Sequence, residues 1–167
     1  RIERWINSEF QATELPGGLR LKKDGEILRI EKNQESLAFK SVVLPFDKPH
    51  NTPYGEFLLE YNNSPQISRD SLVVTFDEKA LGKSPMIRLR PWRRADRIAP
   101  FGMNGKRKLV SDLLTEAAIT GERRKHYPVV EMDDSILWLP GIRRCDCARV
   151  SSSTRTAIEI SFKPLIV

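Results

Sequence analysis

The sequence has few of the residues on which most catalytic sites are built. It holds only two histidines and two cysteines among 167 residues. Neither His50 nor His126 has a serine or cysteine partner at a recognisable spacing, so nothing indicates nucleophilic catalysis. Phosphate-binding loops of the GxxxxGKS/T and GxGxxG types are absent. The sequence therefore predicts no catalytic and no cofactor-binding residues in this chain.

The two cysteines, Cys145 and Cys147, are too close in sequence to cross-link distant parts of a fold. A structural zinc site needs about four ligands, and no second ligand pair accompanies these two. We therefore predict ordinary thiols in a strand and no metal site. Scarce cysteine is typical of a reducing compartment, which indicates a cytoplasmic protein.

Long hydrophobic runs are also missing. No apolar stretch approaches the roughly 20 residues that a membrane-spanning helix needs, so we expect no membrane partner. No secretory signal opens the chain, which begins without methionine inside a helical pattern. We expect a fragment of a longer protein, with enough apolar residues (40%) for a packed core.

What the chain does have is net positive charge in one place. Residues 86–149 hold fourteen Lys and Arg against eight Asp and Glu, whereas the remaining residues hold fourteen of each. Within residues 86–110, eight basic residues face only Asp96. Like charges repel, so this concentration indicates an anionic partner, and the backbone of RNA or DNA is the commonest.

The first half of the chain reads as one helix followed by strands. Apolar residues at helical spacing predict a helix over residues 1–10. Apolar segments 19–21 and 27–30 around an Asp24-Gly25 turn predict a β-hairpin. Further strands are predicted at 37–44, 56–61 and 72–76, with a loop at 45–53.

The second half alternates short strands with helices. Strands are predicted at 87–90, 129–130, 136–139, 142–150 and 156–162, and helices at 109–117 and 122–125. The pair Asp133-Asp134 predicts a turn, and Thr120 a helix cap. The basic triplet 106–108 would stand at a helix start, where cations oppose the macrodipole. Such a local conflict is typical of a functional site.

Two features leave an alternative open. Gly102-Met103-Asn104-Gly105 is either an ordinary turn or a GxxG loop whose backbone amides approach a phosphate. Trp92, inside the basic run, either stacks on a base or packs beneath the loop. Trp138 lies in an apolar run and is predicted to be core.

A longer pattern carries a family resemblance. The segment RPWRRADRIAPFGMNGKRKLVSDLL, beginning at Arg90, is followed by Arg123, by Tyr-Pro-Val-Val ending at Val130, and by ILWLPGIR ending at Arg143. This order resembles the C-terminal domain of bacterial tRNA(Ile)-lysidine synthetase over about residues 86–150. The upstream segment LPGGLR, from Leu15, is similar too. Ala95 replaces the glycine usual in the family, which we expect to tighten the loop and leave its charges in place.

The resemblance implies an α+β fold, a strand-rich β-sandwich of unusual topology with a few helices, related to a module of the phenylalanyl-tRNA synthetase β chain. It implies a ligase that uses ATP to attach lysine to the wobble cytidine of tRNA(Ile). The family's ATP site, with Mg and an SGGxDS loop, lies in an N-terminal catalytic domain. That loop is absent here, so we expect this chain to be inactive alone. The resemblance further implies that this chain grips the tRNA by its acceptor stem.

The resemblance and the charge pattern indicate the same RNA contacts. Arginine suits phosphates because its guanidinium binds them bidentately. We expect Asp96 to be structural, orienting Arg97 or capping the loop, and Gly102 and Gly105 to shape the turn. The predicted tRNA contacts are Arg90, Arg93, Arg94, Arg97, Lys106, Arg107 and Lys108, followed by Arg123, Arg124, Arg143 and Arg144.

An alternative is a protein-interaction module whose basic face meets an acidic domain or the protein's own N-terminal catalytic domain. For the domain organisation we predict a first region at 1–85, a tRNA-binding domain at 86–160 and a tail at 161–167. The sequence does not show whether residues 1–85 pack with the next domain. It leaves the oligomeric state open, a homodimer included.

Overall fold

The fold was analysed in a computed structural model of the 167-residue chain. The structure describes residues 12–15, 19–24, 27–32, 37–66 and 70–165. The chain divides into two compact units, Arg1–Ser36 and Leu37–Val167. The helix predicted over residues 1–10 lies outside the described residues.

The first unit contains a small antiparallel sheet of three strands in the order β1-β2-β3. The predicted hairpin is confirmed, because Leu19 pairs with Lys32 and Asp24 with Ile27. Asp24 belongs to a strand and not to the predicted turn, and Gly25 lies outside the described residues. The strands are β1 (Ala12–Leu15), β2 (Leu19–Asp24) and β3 (Ile27–Lys32).

The second unit is built mainly from short strands. They are β4 (Val42–Val43), β5 (His50–Thr52), β6 (Gly55–Asn62), β7 (Val73–Asp77), β8 (Arg88–Pro91), β9 (Arg97–Ile98), β10 (Lys108–Leu109), β11 (Pro128–Met132), β12 (Ser135–Leu139), β13 (Arg143–Arg144) and β14 (Ala157–Pro164). Its described helices are α1 (Glu78–Leu81), α2 (Val110–Glu116) and α3 (Gly121–Lys125).

These strands form two larger sheets and one ribbon. One sheet has the order β13-β12-β11-β8-β4, the other β5-β6-β14-β7, and β9 pairs with β10. Residues from both sheets, among them Phe57, Ile158, Leu89 and Trp138, belong to one buried core. The expected strand-rich α+β sandwich with a few helices is therefore confirmed. Trp138 is 1% exposed, as its apolar run predicted.

Alternating burial explains the pairing of β6 with β14. Phe57 and Leu59 point inward on β6, and Ile158, Ile160 and Phe162 do so on β14. This is the two-residue period of a sheet with one face on the core. The two strands pair over eight residues, from Ala157 with Asn62 to Pro164 with Gly55.

This pairing corrects the predicted domain limits. Residues 37–85 supply β4 to β7, which complete the two sheets with strands from residues 86–164. The boundary predicted at residue 85 follows the change in net charge along the sequence. That change marks where the basic surface begins and does not separate two cores. The predicted tail at 161–167 likewise includes the end of β14, because Ser161 to Pro164 pair with β6.

Three predicted segments differ from the structure. The strand predicted at 37–44 is reduced to β4, and the loop predicted at 45–53 contains β5, paired with β6. The chain turns between them at Asp47, whose φ is 56°. The strand predicted at 142–150 is reduced to β13. After it the chain bends and reaches Ala148, whose φ of 45° cannot continue a strand.

The prediction of ordinary thiols is wrong, because Cys145 and Cys147 form a disulfide. Their Cα atoms are 5.4 Å apart. Two residues of extended strand span roughly 6.6 Å. The bend at this point therefore shortens the separation to a value common among disulfides.

The other turn and helix predictions are confirmed with small shifts. Asp133 and Asp134 connect β11 and β12 with φ values of 47° and 60°. Thr120 stands at the N-cap of α3, although its side chain makes no capping hydrogen bond. Among the described residues, no helix is long and apolar enough to cross a bilayer. Within that same part of the chain, no group of three His, Cys, Asp or Glu side chains is arranged as metal ligands would be.

The close approach of β6 and β14 generates a stability prediction. A Cβ on Gly55, whose φ is +148°, would lie 2.2 Å from the backbone oxygen of Lys163 and 2.8 Å from Cα of Pro164. Gly55→Ala should lower the free energy of unfolding by about 2–4 kcal/mol, from overpacking and backbone strain together. Urea denaturation followed by circular dichroism measures this loss.

Gly82→Ala is the matched control, because Gly82 has φ +89° and no atom within 4 Å of the added Cβ. It should lower the free energy of unfolding by about 1 kcal/mol, from backbone strain alone. Equal losses in the two variants would contradict the predicted clash with β14.

Candidate nucleic-acid interface

A buried arginine lies at the base of the basic region. Arg90, on β8, is 4% exposed. Its Nε donates to Glu131 Oε2 at 2.6 Å, and its terminal nitrogens donate to both carboxylate oxygens of Asp96 at 2.8 and 3.0 Å. Burial lowers the pKa of Arg90, but the hydrogen bonds to Asp96 and Glu131 outweigh burial and raise it above its ordinary value. The guanidinium stays charged and satisfied.

This burial corrects one predicted contact. Arg90 stands first among the predicted tRNA contacts, yet its side chain is occupied by two carboxylates inside the fold. Arg88 lies opposite Glu131 where β8 pairs with β11, and it adds a second positive charge. Its Nη1 is 3.9 Å from Glu131 Oε1. The four side chains therefore form a neutral network. Arg90 supports the loops that follow and offers no group to a partner.

Asp96 fixes the turn that carries the next arginines. Its Oδ2 accepts the backbone N–H of Arg93 at 2.6 Å, and its own N–H donates to the Arg93 carbonyl at 2.9 Å. Its carbonyl accepts the N–H of Val110 at the start of α2. The expected structural role of Asp96 is confirmed, but the arginine it holds is Arg90 and not Arg97. Ala95 has no positive φ, so alanine fits this turn without strain.

A second basic loop leaves the fold beside this turn. Arg97 of β9 pairs with Leu109 of β10, so the two ends of the loop at residues 99–107 meet. Inside it, Gly102, Asn104 and Gly105 have φ values of 81°, 49° and 76°. The glycines therefore shape the turn as expected. The N–H groups of Met103 and Lys106 are used within the loop, by the carbonyls of residues 100 and 103.

The basic triplet precedes α2 and does not begin it. Lys106 and Arg107 lie in the loop and Lys108 in β10, whereas the first turn of α2 contains Asp112. The expected clash between cations and the helix dipole is therefore absent, since a carboxylate stands where it stabilises the helix.

Five cations on these two segments are exposed to solvent. Within the described part of the chain, none of the five forms an ion pair with an acidic group. We call the two segments that carry these cations the basic loops. The five cations are Arg93, Arg94, Arg97, Lys106 and Arg107. Their mutual repulsion is uncompensated within those residues, which is typical of a surface that meets an anion.

Among the remaining predicted contacts, some side chains are exposed and others already bind groups of the fold. Lys108 binds Glu116 at 2.5 Å. Arg124 donates to the carbonyls of Ile119 and Ser111. Arg144 donates to three carbonyls, those of residues 75, 145 and 147. Arg123 and Arg143 are exposed, and no salt bridge to either occurs among the described residues.

Trp92 packs against the fold. Its Nε1 donates to the carbonyl of Arg124 at 2.5 Å, and the guanidinium of Arg124 lies 5.7 Å from the ring centre. Its backbone N–H donates to the carbonyl of Tyr127. Of the two alternatives for this half-buried residue, the structure favours packing. These bonds attach α3 to the segment that leads into the basic loops.

Neighbouring tyrosines complete this attachment. Tyr54 Oη donates to the carbonyl of Arg123 at 2.8 Å, and Tyr127 Oη donates to the carbonyl of Pro140 at 2.7 Å. Burial raises the pKa of Tyr54 to about 12 and raises that of Tyr127 as well. Both phenols therefore stay neutral donors at physiological pH.

Sequence reasoning missed Phe101 and Arg149, which lie beside the basic loops. Phe101 is half exposed, and the guanidinium groups of Arg144 and Arg149 lie 5.5 and 4.8 Å from its ring centre. Both residues stood within the charged window, and Phe101 within the quoted motif. No periodicity connects them, because the contact forms through the bend after β13.

The fold and these loops define a strand-rich α+β domain with an uncompensated basic surface. Residues 87–160 match the family model described as the TilS substrate C-terminal domain. The resemblance to tRNA(Ile)-lysidine synthetase is thereby confirmed over residues 87–160.

Individual relatives agree with this assignment. The tRNA(Ile)-lysidine synthase of Geobacter sulfurreducens is 37% identical over 75 residues, which cover 45% of this chain and 16% of that protein. The enzyme of the same name from Bacillus thuringiensis is 31% identical over 143 residues, covering 81% and 29%. The chain thus spans less than a third of the length of these relatives.

A solved structure shows the same fold. A crystal structure of the TilS C-terminal domain superposes with a TM-score of 0.67 at 23% identity. The match covers 76% of this chain and 98% of that one. The strand-rich architecture is therefore that of the solved domain.

The Asp96 contacts generate a second prediction. Asp96→Ala removes two hydrogen bonds from Arg90 and the acceptor for the Arg93 N–H. We expect the free energy of unfolding to fall by about 3 kcal/mol, because a buried charge loses one partner. Denaturation measures the loss, and the amide of Arg93 should exchange faster with deuterium.

Asp112→Ala is the control for this variant, since Asp112 is exposed and lies in the first turn of α2. Its loss should stay below about 1 kcal/mol. An Asp96→Ala protein as stable as the Asp112→Ala protein would show that the network does not hold the turn.

Proposed function

We propose that this chain is the tRNA-recognition part of an ATP-dependent ligase that attaches lysine to the wobble cytidine of tRNA(Ile). In this proposal the chain grips the tRNA by its acceptor stem, away from the modified base. The observation that carries it is the set of five exposed cations of the basic loops, none of which pairs with an acidic group in the described part of the chain. The match of residues 87–160 to the TilS substrate C-terminal domain model supports the choice of tRNA.

The geometry of the basic loops suits a duplex backbone. The turn at residues 93–96 and the loop at 99–107 leave the same β9–β10 ribbon, held by the Asp96 bonds. Double-stranded RNA is bound largely by shape, through phosphates and 2′-hydroxyls. Flexible exposed cations on two adjacent protrusions can follow such a backbone without reading its sequence.

Catalysis is proposed to lie elsewhere in the parent protein. The chain contains no SGGxDS loop, so ATP and its Mg would be bound by an N-terminal domain outside these 167 residues. That domain is the second proposed partner. The role left to this chain is to position the tRNA, and it would show no ligase activity alone.

Binding across a salt series tests this function. The 167-residue chain should bind tRNA(Ile) at low salt, with affinity falling steeply as salt increases. A variant with Arg93, Arg94, Lys106 and Arg107 all changed to Ala should bind at least tenfold more weakly. The slope of log affinity against log salt should fall by up to about four, since each phosphate contact contributes about one. Fluorescence anisotropy measures both quantities.

The control changes the same charge elsewhere. A second variant replaces Lys40, Lys48, Lys79 and Lys83 by Ala, all exposed and outside residues 86–149. It should keep nearly all of the affinity and most of the slope. Equal losses of tRNA affinity in the two variants would show that binding depends on total positive charge and not on the basic loops in particular. Absence of salt-dependent binding to any tRNA would favour the alternative, a basic face that meets an acidic protein.

A further inference from the structure

A cleft of about 470 Å³ lies beside the basic loops. Its volume falls within the range of roughly 300–1,000 Å³ that is typical of small-ligand sites. Val74, Trp138 and Ile142 contribute an apolar floor, and Phe101 stands at its side. The cleft therefore combines an apolar interior with an aromatic ring that is 50% exposed.

Three arginines line this cleft. Arg143 and Arg149 are exposed, whereas Arg144 is half buried. Asp70 also lines it, and its Oδ1 accepts the backbone N–H of Leu72. Arg149 pairs with Asp146 at 2.5 Å. The three arginines outnumber the carboxylates of Asp70 and Asp146, so the cleft carries net positive charge.

Arg144 is half buried and has no carboxylate in hydrogen-bond contact among the described residues. All three of its hydrogen bonds within the described chain go to neutral backbone carbonyls, at 3.1 to 3.3 Å. Burial lowers its pKa, the charge of Asp146 opposes that effect, and Arg149 adds to it. A half-buried cation without a carboxylate partner is stabilised when an anion enters the cleft.

Phe101 and two guanidinium groups lie together at the side of the cleft. The Arg149 guanidinium lies 4.8 Å and that of Arg144 5.5 Å from the ring centre. Nucleobases that are not paired stack on aromatic rings and on guanidinium planes. A base inside a duplex is covered by its neighbours and cannot enter such a cleft.

The cleft continues directly from the basic loops. The N–H of Phe101 donates to the carbonyl of Arg144 at 3.0 Å, and Pro100 pairs with Cys145. Phe101 therefore lies near the start of the 99–107 loop, which also carries Lys106 and Arg107. An RNA strand leaving a duplex held by the loops would therefore start next to the cleft, because Phe101 belongs to both.

We propose that this cleft binds an unpaired nucleotide that adjoins the duplex, its base stacked on Phe101 and Arg149 and its phosphate near Arg143 and Arg144. The inference rests on the proposed function, because the basic loops must first hold the duplex. The proposal assigns to the cleft one class of ligand, a single-stranded extension of the RNA duplex. The basic loops themselves do not distinguish a duplex with such an extension from one without it.

The test compares three RNA hairpins with the same stem. One ends blunt, one carries three unpaired nucleotides at its 3′ end, and one carries them at its 5′ end. The 167-residue chain should bind at least one extended hairpin roughly 5- to 150-fold more tightly than the blunt one, the range expected for stacking of one base. A 2-aminopurine in that extension should lose fluorescence on binding, because stacking quenches it.

Variants locate the effect at the cleft. Phe101→Ala should remove the preference for the extension and the quenching, while leaving the affinity for the blunt hairpin nearly unchanged. Phe101→Tyr should retain both. Met103→Ala is the matched control, since Met103 is 41% exposed in the same loop and does not line the cleft. It should behave as the unchanged chain does.

The outcomes separate the two proposals. Salt-dependent binding of all three hairpins with equal affinity and no quenching would overturn the nucleotide site and leave the proposed duplex grip standing. Absence of salt-dependent binding to any hairpin would overturn the proposed function, and the nucleotide site with it. A preference for the extension that survives Phe101→Ala would place the unpaired nucleotide elsewhere.

Discussion

The hydrogen bonds of Arg90 to Glu131 and Asp96 connect β8 to a strand 41 residues away and to the turn that follows β8. A guanidinium that is 4% exposed would be strongly destabilising without them, because burial in a low dielectric favours the neutral state. With them it links β8 to β11 and fixes the turn before β9. The Asp96 carbonyl then binds Val110, where α2 begins. The basic loops protrude from this fixed base.

Arginine serves two opposite purposes in this molecule. Arg124 and Arg144 donate to backbone carbonyls and lie against aromatic rings, so they hold segments together. Arg93 and Arg97 extend into solvent from a braced turn. A braced turn loses less conformational entropy than a flexible loop when it orders on a partner. If the basic loops bind a polyanion as proposed, the buried arginines reduce the entropic cost of that binding.

The bend after β13 joins the basic loops to the cleft. The Cys145–Cys147 disulfide closes this bend, and Asp146 between the cysteines pairs with Arg149. Pro100 pairs with Cys145, so the start of the loop at residues 99–107 lies on the same segment. The cations proposed to bind a duplex backbone and the aromatic cleft proposed to bind a single base therefore share one short stretch of structure. This adjacency would let the domain recognise the end of a duplex.

Local patterns in the sequence determined the short-range features: the first-unit hairpin, the turn at Asp133-Asp134, the apolar run around Trp138 and the confinement of net charge to residues 86–149. These depend on neighbours a few residues apart, which the sequence displays directly. Tertiary structure decided the rest. Glu131 lies 41 residues from Arg90, and β14 pairs with a strand about a hundred residues earlier, so neither partner is visible in a local window. Whether an arginine binds a carboxylate inside the fold or faces solvent depends on such distant partners, because burial is a property of the packed chain and charge a property of the residue.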